Sequence, residues 1–141
     1  MKIAIINGPN LNLLGRREPD KYGRLSMENI LADLHRDNPG IELSYHQSNH
    51  EGEIIDILHR LGYDEPVDGI VLNAGAYTHT SLAIADAIAA IPVPVVEVHL
   101  TNIFARETVR HTSLIAPVCR GSISGFGAKV YQLAVSALSR C

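Results

Sequence analysis

The chain has 141 residues, and its 12 lysines and arginines against 15 acidic residues leave a formal charge of −3. That length suits one globular domain, and a composition of 46% hydrophobic and 19% charged residues excludes the collagenous and disordered classes. A protein that binds nucleic acid needs cations to neutralise phosphates, and no basic excess or lysine/arginine stripe supplies them.

The first element in chain order is the β-branched run Lys2 to Ile6, stopped by the turn residues Asn7-Gly8-Pro9-Asn10, which predicts a buried strand. This start reaches polar residues too soon for a secretory apolar stretch, and the two cysteines, Cys119 and Cys141, suggest no disulfide; the expected location is the cytoplasm. Cys119 reads as a small buried hydrophobe rather than a nucleophile. Leu11 to Arg24 lacks clear periodicity, carries Gly15, Pro19 and Gly23 as hinge-capable residues, and reads as a mobile lid. Within it, Arg17 and Tyr22 stand five apart. A phenol has a reference pKa of ~10, and lowering it by about three units takes roughly 4 kcal/mol, much of which a close guanidinium can supply. Taken alone, the pair is a weak signal and reads as an exposed loop arginine and a packing tyrosine.

Ser26 is placed to cap a helix whose apolar face is Met27, Ile30, Leu31 and Leu34, ending before Pro39-Gly40. Ile41 to Gln47 alternates apolar and polar residues, the period of a half-covered edge strand. A second helix spans Glu51 to Leu61 with Ile54, Ile57, Leu58 and Leu61 as its stripe and Gly62 at a left-handed stop. Asp68 to Leu72 predicts the third strand, Ser81 to Ile91 an alanine-rich third helix, and Val95 to Leu100 the fourth strand. Leu82 to Val96 is broken by Asp86, Pro92 and Pro94, so no membrane span is expected. Val118 to Ile123 is a weaker fifth strand, and Phe126 to Leu138, with Val130, Leu133, Ala134, Ala137 and Leu138, closes the chain as a helix. Alternating strands and helices specify a parallel sheet covered on both faces. The expected fold is α/β, a flavodoxin-like three-layer sandwich with a five-stranded parallel sheet in a single domain over residues 1–141.

In such sheets the ligand lies beyond the carboxyl ends of the strands. Each of the first four predicted strands runs into a polar cluster there: residues 7–10, 47–52, 73–81 and 99–102. Together they suit a small polyhydroxylated ligand. The spacing of a phosphate-cradling loop is absent, which disfavours a nucleotide; Gly121-Ser122-Ile123-Ser124-Gly125 holds isoleucine where a nucleophile elbow needs serine, which disfavours serine hydrolase chemistry; and no histidines show metal-ligand spacing, so no metal is expected. Glu97 and His99 are two apart on a strand, which sends both to one face; the carboxylate can orient the imidazole for acid work, or the two can form a structural ion pair. Arg106 and Arg110, four apart, share a face if helical and suit an anionic or hydroxyl-bearing substrate, or a surface salt bridge.

Four long strings now stand in order: Ile6 to Gly23, I-N-G-P-N-L-N-L-L-G-R-R-E-P-D-K-Y-G; Gln47 to Ile54, Q-S-N-H-E-G-E-I; Leu72 to Ser81, L-N-A-G-A-Y-T-H-T-S; and Glu97 to Asn102, E-V-H-L-T-N, with Ala105-Arg106-Glu107. With these motifs the chain resembles the type II 3-dehydroquinate dehydratases. The resemblance implies anti elimination of water from 3-dehydroquinate, through an enolate, to 3-dehydroshikimate in the shikimate pathway of aromatic amino acid biosynthesis, without metal, cofactor or Schiff-base lysine. It implies Tyr22 as the base, Arg17 as the cation that keeps it ionised, Asn10 as holder of a water at the enolate oxygen, and His99, oriented by Glu97, as the acid. It further implies that Asn73, His79 and Arg110 hold substrate hydroxyls and that the backbone N–H groups of Leu100 and Thr101 take the carboxylate. A homododecamer, a tetramer of trimers, is implied, with Asp86 reaching a neighbour's site. Ser26, and Thr108-Val109 between the arginines, depart from the family's more usual residues. The competing expectation is a non-catalytic flavodoxin-like module that binds a nucleotide or signals.

Overall fold

Side chains alternate across a strand, and in Lys2–Asn7 both faces are apolar: Ile3 and Ile5 on one, Ala4 and Ile6 on the other, all fully buried. Such a segment is stable only at the centre of a sheet covered twice. The computed structural model, which describes residues 1–16 and 26–140, places it there. Five strands, β1 (Lys2–Asn7), β2 (Glu42–Gln47), β3 (Gly69–Asn73), β4 (Val95–His99) and β5 (Gly121–Ser124), pair in parallel in the order β2-β1-β3-β4-β5. The helices are α1 (Met27–Asp37), α2 (Glu51–His59), α3 (Leu82–Ala90) and α4 (Lys129–Ser139). Ile3, Ile5, Val71 and Val98 pack with α1 and α4, while Ala4, Ile6, Ile70 and Leu72 pack with α2 and α3. The result is the expected three-layer sandwich in flavodoxin-like strand order.

Local signals explain most boundaries. Ser26 accepts the Asn29 N–H at 3.2 Å and Ser81 the Ile84 N–H at 2.9 Å, each capping its helix. The alternating strand β2 lies at the sheet edge. Three expectations need correction. Gly62 is not a left-handed stop: the chain continues from α2 into a π-helical turn, Arg60–Asp64, and a Cβ at Gly62 would come within 2.5 Å of Ile91 Cγ2. Close approach of α2 to the end of α3, not handedness, is what requires glycine there. The fifth strand begins at Gly121, because Ala116-Pro117-Val118 forms a 3-10 turn. Proline lacks the N–H a strand would need. In α4 the inward stripe is Val130, Tyr131, Ala134, Val135 and Leu138, whereas Leu133 is exposed.

The aperiodic stretch after Asn10 is anchored further than its sequence suggests: Leu11–Leu13 form a 3-10 turn, and Leu11 and Leu14 are buried in the α1/α4 side of the core. Among the described residues no helix is long and apolar enough to cross a membrane.

Candidate active site

Strand order reverses direction between β1 and β3, so the chains leaving these two strands diverge and open a crevice. Gly8 donates its N–H to the Asn73 carbonyl at 2.7 Å, and a Cβ on Gly8 would lie 2.6 Å from the Ala74 carbonyl oxygen. Only glycine allows the two loops to approach this closely. Beyond them a cleft is lined by Asn10, Asn73, His79, His99, Leu100 and Thr101, together with Arg106 and Arg110.

Asn10 adopts a left-handed backbone, φ 70°, a conformation asparagine tolerates better than most residues. Its N–H is held by Asn49 Oδ1 at 3.0 Å, and Asn49 is held in turn: Gln47 Nε2 donates to Asn49 Oδ1 at 3.1 Å and to the Gly8 carbonyl at 3.2 Å, while the Tyr77 hydroxyl donates to the Asn49 carbonyl at 2.8 Å. The polar cluster after β2 therefore braces the Asn10 turn from behind instead of lining the cleft. The clusters after β1, β3 and β4 line it.

Glu97 and His99 emerge on one face of β4, 1% and 6% exposed. His99 Nε2 lies 3.0 Å from Glu97 Oε2. Ser113 donates its hydroxyl to Glu97, 2.9 Å from Oε2 and 3.2 Å from Oε1, and accepts the Ala116 N–H at 3.0 Å. Burial alone would push the Glu97 carboxyl up; hydrogen bonds from His99, Ser122 and Ser113 and the attraction of the imidazole outweigh it and hold the carboxyl below its ordinary value. An ionised carboxylate only accepts, so Nε2 of His99 carries hydrogen and Nδ1 is the ring nitrogen not committed to Glu97.

His79 donates Nδ1–H to the Thr112 carbonyl at 2.8 Å, which fixes its tautomer and leaves Nε2 as the acceptor of the neutral ring. Its ring stacks on that of His99, centroids 6.2 Å apart. The two arginines do not share a helix face: they follow separate 3-10 turns, Ile103–Ala105 and Thr108–Arg110, yet both border the cleft. Arg106 donates to Thr101 Oγ1 at 3.4 Å, and Arg110 Nε to Glu107 Oε2 at 3.1 Å. Leu100 and Thr101 are fixed by the next turn, where Gly125 and Gly127, both at positive φ, donate N–H groups to the His99 and Leu100 carbonyls at 3.2 and 2.9 Å. Asp86 is exposed on α3, away from this cleft. Arg17 and Tyr22 lie outside the described residues.

Two polar residues at the site were not indicated by any motif spacing. Ser113 lies sixteen residues from Glu97, in a loop without periodicity. Tyr131 is fully buried in the apolar stripe of α4 and donates its hydroxyl to Asn7 Oδ1 at 2.7 Å. A tyrosine inside an otherwise aliphatic helix face was the available signal, since a buried phenol needs a partner. Cys119 is half-buried, its thiol pushed up to about 12 by burial and by the charge of Glu97, and so remains protonated. Among the described residues no group of three His, Cys, Asp or Glu is arranged to hold a metal ion.

A family model described as Dehydroquinase class II matches residues 1–139 of the chain. A 3-dehydroquinate dehydratase of Exiguobacterium sp. is 58% identical over 139 residues, 98% of this chain and 94% of the relative. That of Caldicellulosiruptor bescii is 56% identical over 139 residues, 97% of this chain and 95% of the relative. The crystal structure of a type II dehydroquinase from Butyrivibrio crossotus superposes with a TM-score of 0.94 at 45% identity, covering 99% of this chain and 97% of that one.

Proposed function

The chain belongs to the class II dehydroquinase family, and on that footing we propose that it is a 3-dehydroquinate dehydratase that eliminates water through an enolate. A proton alpha to a ketone is acidic because its removal gives a resonance-stabilised enolate. The electron pair of that enolate expels the hydroxyl on the β carbon if an acid protonates it as the bond breaks. The chemistry therefore needs a base, a stabiliser for the enolate oxygen and an acid, and an anti course puts that acid on the face opposite the base.

The single observation that carries this reading is the Glu97–His99 couple, buried together at 3.0 Å beside a cleft lined by neutral hydrogen-bonding groups and two arginines. With Nε2 bonded to Glu97, the imidazolium donates Nδ1–H to the departing hydroxyl, and water leaves. Tyr22, ionised beside Arg17, takes the carbon-bound proton. Its proton returns to His99 through solvent and resets the site. Asn10 holds a water at the developing oxyanion. Asn73, His79 and Arg110 hold ring hydroxyls, and the N–H groups of Leu100 and Thr101 take the carboxylate.

The exposed position of Asp86 on α3 is compatible with its reaching a neighbouring subunit's site in a homododecamer, a tetramer of trimers. The same reading treats residues 1–141 as one catalytic domain working in the cytoplasm within aromatic amino acid biosynthesis. The test is direct: the purified chain with 3-dehydroquinate forms the conjugated enone 3-dehydroshikimate, seen as a rise in ultraviolet absorbance. No rise at substrate saturation overturns the reading.

A further inference from the structure

Strands β1 and β3 end on the same rung: Asn7 pairs directly with Asn73, and their carboxamides face the α1/α4 layer side by side. Tyr131 reaches both from α4. It donates its hydroxyl to Asn7 Oδ1 at 2.7 Å and accepts from Asn73 Nδ2 at 3.4 Å. We propose that Tyr131 is a positioning residue for the dehydration, fixing through its buried hydroxyl which way round the Asn73 carboxamide stands; this rests on the dehydratase reading and on Asn73 as a holder of substrate hydroxyl.

The directions of the hydrogen bonds carry the argument. Asn7 directs its Nδ2 to Met27 Sδ at 3.2 Å and to the Tyr45 hydroxyl at 3.3 Å, so its oxygen is the atom left for Tyr131. The one proton of the phenol is thereby committed to Asn7, and its lone pair faces Asn73. Asn73 must then present N–H, not oxygen, to the phenol, and its Oδ1 accepts the Gly75 N–H at 3.3 Å. What remains for the cleft is the second N–H of Asn73 and a lone pair of Oδ1.

Remove the phenolic oxygen, and a 180° turn of the Asn73 amide, which exchanges donor and acceptor, is opposed by the Gly75 N–H alone, at 3.3 Å, instead of from both sides. Burial pushes the Tyr131 phenol far above its ordinary value, so it stays a neutral donor at every working pH. Its packing role is separable from this one, because phenylalanine keeps the ring.

The experiment is a double-mutant cycle on enone formation, with Tyr131→Phe, Asn73→Ala and the pair, each also followed by thermal unfolding. Tyr131→Phe is expected to raise KM for 3-dehydroquinate about tenfold, the scale of one lost or misdirected hydrogen bond, with kcat per folded molecule within about twofold of wild type. In the Asn73→Ala background, Tyr131→Phe is expected to change KM by no more than about twofold, because its effect runs through the missing amide. A normal KM in Tyr131→Phe accompanied only by a lower Tm means a packing role and overturns the proposal. So does an equal KM effect of Tyr131→Phe in both backgrounds. If Tyr131→Phe does not fold, 4-aminophenylalanine at position 131 keeps a donor toward Asn7 but turns a second N–H toward Asn73, which favours the reversed amide and must raise KM; an unchanged KM overturns the proposal. Wild-type protein that forms no enone overturns the dehydratase reading itself, whereas active wild type with a normal KM in Tyr131→Phe overturns only the positioning role.

Discussion

His99 turns Nε2 onto a Glu97 carboxylate that is itself almost fully buried, 3.0 Å away, with Ser113 closing the carboxylate from the other side. The carboxyl lies below its ordinary value of 4.5, so Glu97 contributes stability above that value and loses it as the pH falls through the lower, folded value. In Glu97→Gln the loss of stability on acidification should accordingly be shallower below about pH 5, read from urea midpoints across pH. The amide no longer fixes the His99 tautomer, and kcat should fall about 10²-fold. Unchanged acid sensitivity and unchanged kcat would separate Glu97 from both roles.

Gly8 sets the closeness of the two loops that frame the cleft. A methyl at Gly8 meets backbone, 2.6 Å from the Ala74 carbonyl oxygen, whereas a methyl at Gly52 meets open space. Gly8→Ala should cost about 1–3 kcal/mol and raise KM, because the loop carrying Asn10 must shift. Gly52→Ala, in the first turn of α2, should leave KM alone and change stability by less than about 1 kcal/mol. Chemical denaturation and enone kinetics on both variants measure the contrast.

How legible the site was depends on whether its geometry is local. The Ser26 cap, the alternation that puts β2 at the edge and the i, i+2 relation of Glu97 and His99 are set within a few residues, and each is found as expected. Gly62 misled because glycine serves two purposes: the same residue type marks a left-handed stop or a close crossing, and only the position of Ile91 decides between them. Arg106 and Arg110 reach the cleft without sharing a helix, since an irregular segment has no period to read. Tyr131 acts across 124 residues on Asn7, a relation fixed by α4 packing over β3 and β4 and by nothing in the neighbouring sequence.

Burial and the neighbouring Glu97 charge keep the Cys119 thiol protonated, with a pKa of about 12. In a Cys141→Ser background, a disulfide reagent near neutral pH should leave Cys119 unmodified until the protein is unfolded, without effect on turnover. Rapid modification of the folded enzyme would contradict the packing role assigned to this residue.

Tyr22 carries the base in the proposed mechanism, and phenylalanine keeps the ring while removing the ionisable oxygen. Tyr22→Phe should lose at least about 10²–10⁴ in kcat, with ligand affinity, measured by calorimetry, within about tenfold of wild type. Turnover near the wild-type rate would move the base elsewhere.

An enolate route with the proposed base on one face and His99 on the other makes a stereochemical demand: proton and hydroxyl leave from opposite faces. The sharpest measurement uses 3-dehydroquinate labelled with deuterium at the carbon alpha to the ketone, on the face opposite the departing hydroxyl. The account predicts 3-dehydroshikimate free of label. Product that retains the deuterium, having lost the proton from the same face as the hydroxyl, would contradict it.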